Sequence, residues 1–139
     1  MENIDFSGKV KHILEYDRQY PPEAYDFLNA AVKYTIDKIG RSGEESRRHI
    51  SARELLDGMV AYACSEFGPL AAEVLDSWRI LAPQDVGTMV YNLVREKLFS
   101  TSEQDSPQDF ELDYDIRARL EAPYRQEQGE KHPDVPIIV

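Results

Sequence analysis

Residues 51–99, SARELLDGMVAYACSEFGPLAAEVLDSWRILAPQDVGTMVYNLVREKLF, decide the fold. Ser51-Ala52-Arg53-Glu54 has the form of a capping box, in which the serine oxygen accepts from the Glu54 amide and the glutamate reaches back to the serine amide. The apolar positions that follow, Leu55, Leu56, Met59, Val60, Ala63, Cys64 and Phe67, recur at helical spacing over a broad face. That breadth suits a helix in the middle of a core. Gly68 stops it, and Pro69 opens a shorter helix with Leu70, Val74, Leu75 and Trp78 on one stripe. Pro83 marks a third start, with Asp85 near the positive end of the helix dipole. Val86, Met89, Val90, Leu93, Val94 and Leu98 form the inner stripe of this third helix. Gly58 and Gly87 fall inside helices, where glycine costs about 1 kcal/mol relative to alanine. Two readings stand: close approach of neighbouring helices, or tolerated surface positions.

Working outward toward the N-terminus, Phe6, Val10, Ile13 and Leu14 predict a helix over residues 5–17. Tyr20-Pro21-Pro22 breaks it. A second helix then starts at Pro22, with Ala24, Phe27, Leu28, Ala31, Thr35 and Ile36 facing inward, and ends near Gly40. Tyr16, Tyr20 and Tyr25 cluster at this corner, where half-buried tyrosines ordinarily pack. Residues 41–48 read as a polar loop. Arg47, Arg48, His49 and Arg53 are the local basic cluster, readable as an anion or acidic-peptide site beside the helix starting at Ser51, as a solvated loop, or as a partner of the acidic segment 103–115.

Beyond Phe99 the period changes. Phe110, Leu112, Tyr114 and Ile116 alternate with Asp109, Glu111, Asp113 and Asp115, the pattern of a half-buried strand, with residues 98–102 as the antiparallel partner. Ser106-Pro107-Gln108-Asp109 reads equally as a helix start. Residues 117–139 read as a polar C-terminal tail, with a weak helix over 117–128 and an apolar end, Val135-Pro136-Ile137-Ile138-Val139.

The charge is unevenly placed. The chain carries a formal charge of −10, of which −6 lies in residues 100–139, and the span from Glu103 to Asp115 holds six acids and no base. Such a surface repels phosphate backbones, which disfavours nucleic acid and favours a basic protein partner or simple solubility; a homo-oligomer stays open. No apolar run approaches the roughly 20 residues of a membrane span. The first residues lack the basic start and apolar core of a signal peptide, and the single cysteine, Cys64, forms no internal disulfide, so the expected location is the cytoplasm. Catalytic and cofactor motifs are wanting. Cys64 with His49 is the nucleophile–base pair to consider, but Cys64 sits on an apolar stripe. His12, His49 and His132 lack zinc-ligand spacing. A calcium loop counted from Asp109 places Tyr114 and Leu120 where glycine and glutamate are required. No cofactor, metal or catalytic residue is assigned.

Helix, short turn, helix, then Leu93-Val94-Arg95-Glu96-Lys97-Leu98-Phe99 and a polar hairpin resembles the second half of a winged helix, a resemblance that covers residues 83–115. Many such domains have glycine where this chain has Lys97. The resemblance implies a recognition helix showing Gln84, Asp85, Thr88, Asn92, Arg95 and Glu96, and a wing showing carboxylates. Tyr20-Pro21, Ala24-Tyr25-Asp26-Phe27, His49-Ile50-Ser51, Phe67-Gly68-Pro69-Leu70-Ala71, Val90-Tyr91-Asn92-Leu93-Val94 and Asp105-Ser106 with Asp109-Phe110 resemble a small bacterial family without an assigned activity, over residues 6–115. That resemblance implies no catalytic residue. The sequence therefore predicts a mainly α single domain over residues 1–116, of five or more helices, with a small winged-helix-like β-hairpin after Phe99. The expected function is a non-enzymatic protein-interaction or regulatory module, with Asp109, Glu111, Asp113, Asp115, Arg47, Arg48 and His49 as candidate interaction residues. A DNA-binding, transcription-related winged helix is the alternative.

Overall fold

The computed structural model describes residues 2–41 and 49–131, with side chains from 5 to 40 and from 49 to 125. The chain forms α1 (Glu2–Tyr16), α2 (Pro22–Arg41), α3 (Ala52–Phe67), α4 (Ala71–Ser77), α5 (Pro83–Arg95) and α6 (Ile116–Lys131), with single 3-10 turns at Gly68–Leu70 and Pro107–Phe110. The fold is mainly helical and surrounds one core. Helix α3 is its axis, packed against α2, α4, α5 and α6.

The capping box forms as the sequence requires. Ser51 Oγ accepts the Glu54 amide at 3.0 Å, and Glu54 Oε1 accepts the Ser51 amide at 2.8 Å. Two otherwise orphaned donors are satisfied there. Leu56, Met59 and Ala63 are wholly buried, and removing side chains of this size from water is worth about 1.5–3 kcal/mol each for leucine and methionine. Both interior glycines serve close packing. A Cβ on Gly58 would collide with the Thr35 side chain of α2, approaching its Cβ to 2.9 Å. A Cβ on Gly87 would meet Phe110 Cβ and Cγ at 2.9 Å. At Gly58 the close neighbour is another helix; at Gly87 it is the ring carried by the second 3-10 turn.

Helices α4 and α5 end in the same way. Ile80 donates its amide to Leu75 O at 3.0 Å, and Leu98 donates to Leu93 O at 2.9 Å, each across a left-handed residue. Those residues are Arg79 (φ 67°) and Lys97 (φ 65°), where glycine is the usual occupant. Each costs roughly 1 kcal/mol of backbone strain. Lys97 thus takes, just after α5, the left-handed backbone conformation that glycine adopts most readily.

Three expectations are corrected. First, Leu70 is 60% exposed: the 3-10 turn at Pro69 rotates it off the inner stripe, and Ala71, Ala72 and Leu75 are buried instead. Second, no β-hairpin follows Phe99, and no strand occurs among the described residues. The helix-start reading of Ser106-Pro107 is realised as the 3-10 turn, with Asp109 Oδ2 accepting the Ser106 amide at 3.1 Å. Residues 111–115 then form an irregular arm. Its alternation is real, since Phe110, Tyr114 and Ile116 are buried, Leu112 is half-buried, and Glu111, Asp113 and Asp115 are exposed. Side chains, not a backbone ladder, hold it to the core. Third, the weak helix read over residues 117–128 is present as α6, but it does not trail as a tail: it buries Ile116 and Leu120 against the rest of the core.

Candidate functional site

The 3-10 turn at Pro107–Phe110 lies against α5, and the segment from Phe99 to Asp109 borders the start of α3. Between them and α2 lies a cleft of about 280 Å³. Helix α2 contributes Val32 and Ile36, the entry to α3 contributes His49, Ile50, Ser51 and Leu55, and α5 contributes Val90 and Tyr91. Phe99, Thr101, Asp105, Asp109 and Phe110 complete the wall. The floor is therefore aliphatic and aromatic, and the rim carries two carboxylates, a phenol, an imidazole and hydroxyls.

Asp105 is the best-fixed of these groups. Its Oδ2 accepts the Ser102 amide at 2.8 Å and the Ser102 hydroxyl at 3.1 Å. His49 Nε2 lies 3.2 Å and 3.3 Å from the two carboxylate oxygens. The Ser102 backbone amide, and then the His49 ring, hold the Asp105 carboxyl below the usual carboxylate range. Burial pushes the Tyr91 phenol above its ordinary value, and the negative charges of Asp105 and Asp109 add to the rise. Both carboxylates thus act on the same phenol.

The candidate residues divide. His49 and Asp109 line the cleft, together with Asp105, Tyr91 and Thr101, which are not among the candidates the sequence supplies. Glu111, Asp113 and Asp115 lie outside its lining, on the exposed face of the arm. Asp115 has a structural task, since its Oδ1 accepts the Ala118 amide at 3.0 Å in the first turn of α6. Arg47 and Arg48 lie outside the described residues. Arg53 sits over the Tyr114 ring, with Arg119 over it as well, while Tyr114 donates its hydroxyl to Asp57 Oδ1 at 2.7 Å. This clamp fastens the arm to α3.

Much of the supposed recognition face of α5 is turned to internal use. Asn92 is buried and donates Nδ2–H to Asp17 Oδ2 at 2.9 Å and to the Tyr25 hydroxyl at 3.1 Å. Asp85 accepts the Tyr20 hydroxyl at 2.6 Å and the Leu81 and Ala82 amides at 2.9 Å each. Glu96 Oε2 lies 2.7 Å from His12 Nδ1 and accepts the Tyr16 hydroxyl at 3.0 Å, while Arg95 stacks on the Tyr16 ring. Tyr20 and Tyr25 are core residues, and Tyr16 remains 40% exposed.

Nucleophilic chemistry finds no assembled pair among the described residues. Cys64 is half-buried, donates Sγ–H toward Leu120 O at 3.8 Å, and has its thiol pushed up by burial. It lies roughly 18 Å along α3 from the end that carries His49. Ser51 Oγ accepts the Glu54 amide as a helix cap, and no hydrogen bond joins it to His49. Among the described residues no three histidine, cysteine, aspartate or glutamate side chains converge as metal ligands, and no helix is long and apolar enough to cross a membrane. Comparison with protein-family models, curated proteins and solved structures finds no match to this chain.

Proposed function

We propose that the protein is a non-enzymatic interaction module that receives a segment of another protein in the cleft between α2, α3, α5 and the Phe99–Phe110 segment. The observation that carries this reading is the composition of that cleft, an apolar floor under an acidic rim. Association of a protein segment is driven by burying apolar side chains, and rim charges select the partner and steer its approach. A volume of about 280 Å³ lies just below the range for drug-sized ligands, and suits one anchoring side chain with its neighbours. The acidic segment thereby divides, with Asp105 and Asp109 at the binding surface and Glu111, Asp113 and Asp115 as solvating charge on the arm.

The test compares two variants with the wild-type protein in pull-downs from native lysate, followed by reconstitution with the purified partner. Thr101→Trp places a large ring at the exposed edge of the cleft. The triple variant Glu111→Gln, Asp113→Asn, Asp115→Asn removes charge from the arm alone. The expected result is a stoichiometric partner that binds the wild type and the triple variant and is lost with Thr101→Trp. Retention of the same partner by Thr101→Trp, with helical circular dichroism unchanged, rejects the cleft as the binding surface.

A further inference from the structure

The chemistry of the occupant can be read from the same cleft, and this inference rests on the reading above. Asp105 is held by three hydrogen-bonding groups from the chain, so its charge is fixed in place before any partner arrives. Asp109 gives one carboxylate oxygen to the Ser106 amide at 3.1 Å, and no hydrogen bond to its other oxygen occurs among the described residues. The Tyr91 phenol, influenced by both charges, likewise has no hydrogen-bond partner among the described residues. Ile36, Val90 and Phe99 line the same cleft and offer only apolar surface. The one basic group among the described lining residues is His49, which is already paired with Asp105.

We infer that the cleft recognises a peptide segment in which a large apolar side chain stands next to a lysine or arginine. The apolar side chain enters between Ile36, Val90 and Phe99, and the cation rests between Asp105 and Asp109, near the Tyr91 hydroxyl. An apolar ligand without a cation leaves two carboxylates beside a newly dry surface. A cation without an apolar anchor leaves the floor exposed. Only the combination satisfies both, because charge-assisted hydrogen bonds strengthen when the anchor excludes water. The formal charge of −10 on the whole chain adds long-range attraction toward a basic segment.

The probe is a random-peptide display library selected on the full-length protein. Enriched peptides are expected to carry an aromatic or aliphatic residue beside lysine or arginine, to lose binding to Thr101→Trp, and to weaken with added salt. Replacing Asp105 and Asp109 together by asparagine should weaken a selected peptide about tenfold or more. Changing the peptide's cation to glutamine should weaken the wild-type complex by a similar factor, with little further loss in the asparagine variant. Peptides that need the open cleft but carry no cation overturn this inference and leave the interaction module standing. Peptides indifferent to Thr101→Trp, or a selection that yields no binder, overturn both.

Discussion

The two interior glycines show how much a single missing methyl group decides. At an open helical position, glycine to alanine gains about 1 kcal/mol from backbone entropy. At Gly87 that gain is opposed by a clash with Phe110 Cβ and Cγ, atoms that cannot swing aside as a side-chain tip can. At Gly58 the opposing atoms are those of Thr35, a β-branched side chain whose hydroxyl donates to Ala31 O at 2.7 Å. Overpacking costs about 1–3 kcal/mol, so Gly58→Ala and Gly87→Ala should each lower stability. The expected fall in melting temperature is about 3–8 °C by differential scanning calorimetry. Gly8→Ala is the companion measurement. A methyl group added there would have nothing within 4 Å, and this substitution should raise the melting temperature instead. A rise for all three would mean that close packing is not why glycine stands at 58 and 87.

The arm and α6 make the corresponding case for whole elements. Leu120 is 2% exposed in a helix that is otherwise mostly polar, and Ile116 is equally buried. Leu120→Ala should therefore cost about 2–4 kcal/mol and shift the urea midpoint of the entire helical signal. An appendage would melt separately and leave that midpoint in place. The helices are legible in the sequence because their apolar positions repeat at 3–4 residues and their ends carry serine, proline and glycine. The arm is half legible. Period two correctly tells which of residues 110–116 face inward, but it carries no information on whether a neighbouring strand exists to pair with the backbone. For α6 the signal is two apolar residues, Ile116 and Leu120, on a charged background, too sparse to distinguish a docked helix from a solvated one. The cleft is less legible still. Its rim depends on Asp105 and Tyr91, separated by a turn whose course follows from the left-handed Lys97, and no local pattern announces that they meet. Asn92 misleads for a related reason: its partners, Asp17 and Tyr25, come from the far end of the sequence.

At the scale of the molecule, the tyrosines report on the integrity of the core. Burial pushes the Tyr20, Tyr25 and Tyr114 phenols above their ordinary value, with Asp85 adding to the rise at Tyr20 and Asp57 at Tyr114. At Tyr25 the hydrogen bond from Asn92 opposes burial, yet the net value is still pushed up to about 12. A folded-state value above the unfolded one, about 10, makes stability complete below that pH and progressively lost above it. Alkaline titration should thus unfold the protein between about pH 10 and pH 12, with these three phenolates appearing together with the loss of helical circular dichroism. Ionisation of all eight tyrosines while the helical signal persists would show that the three are not sealed. The position of the arm has one more consequence, for the order in which the molecule is made. Phe110, Tyr114, Ile116 and Leu120 are the last core residues in the described chain to leave the ribosome, and they cover surfaces of helices already synthesised. At roughly 5–20 residues per second, translation from the end of α5 to Leu120 takes about 1–5 s. For that interval the nascent chain carries an open apolar seam, which closes only when the arm and α6 dock.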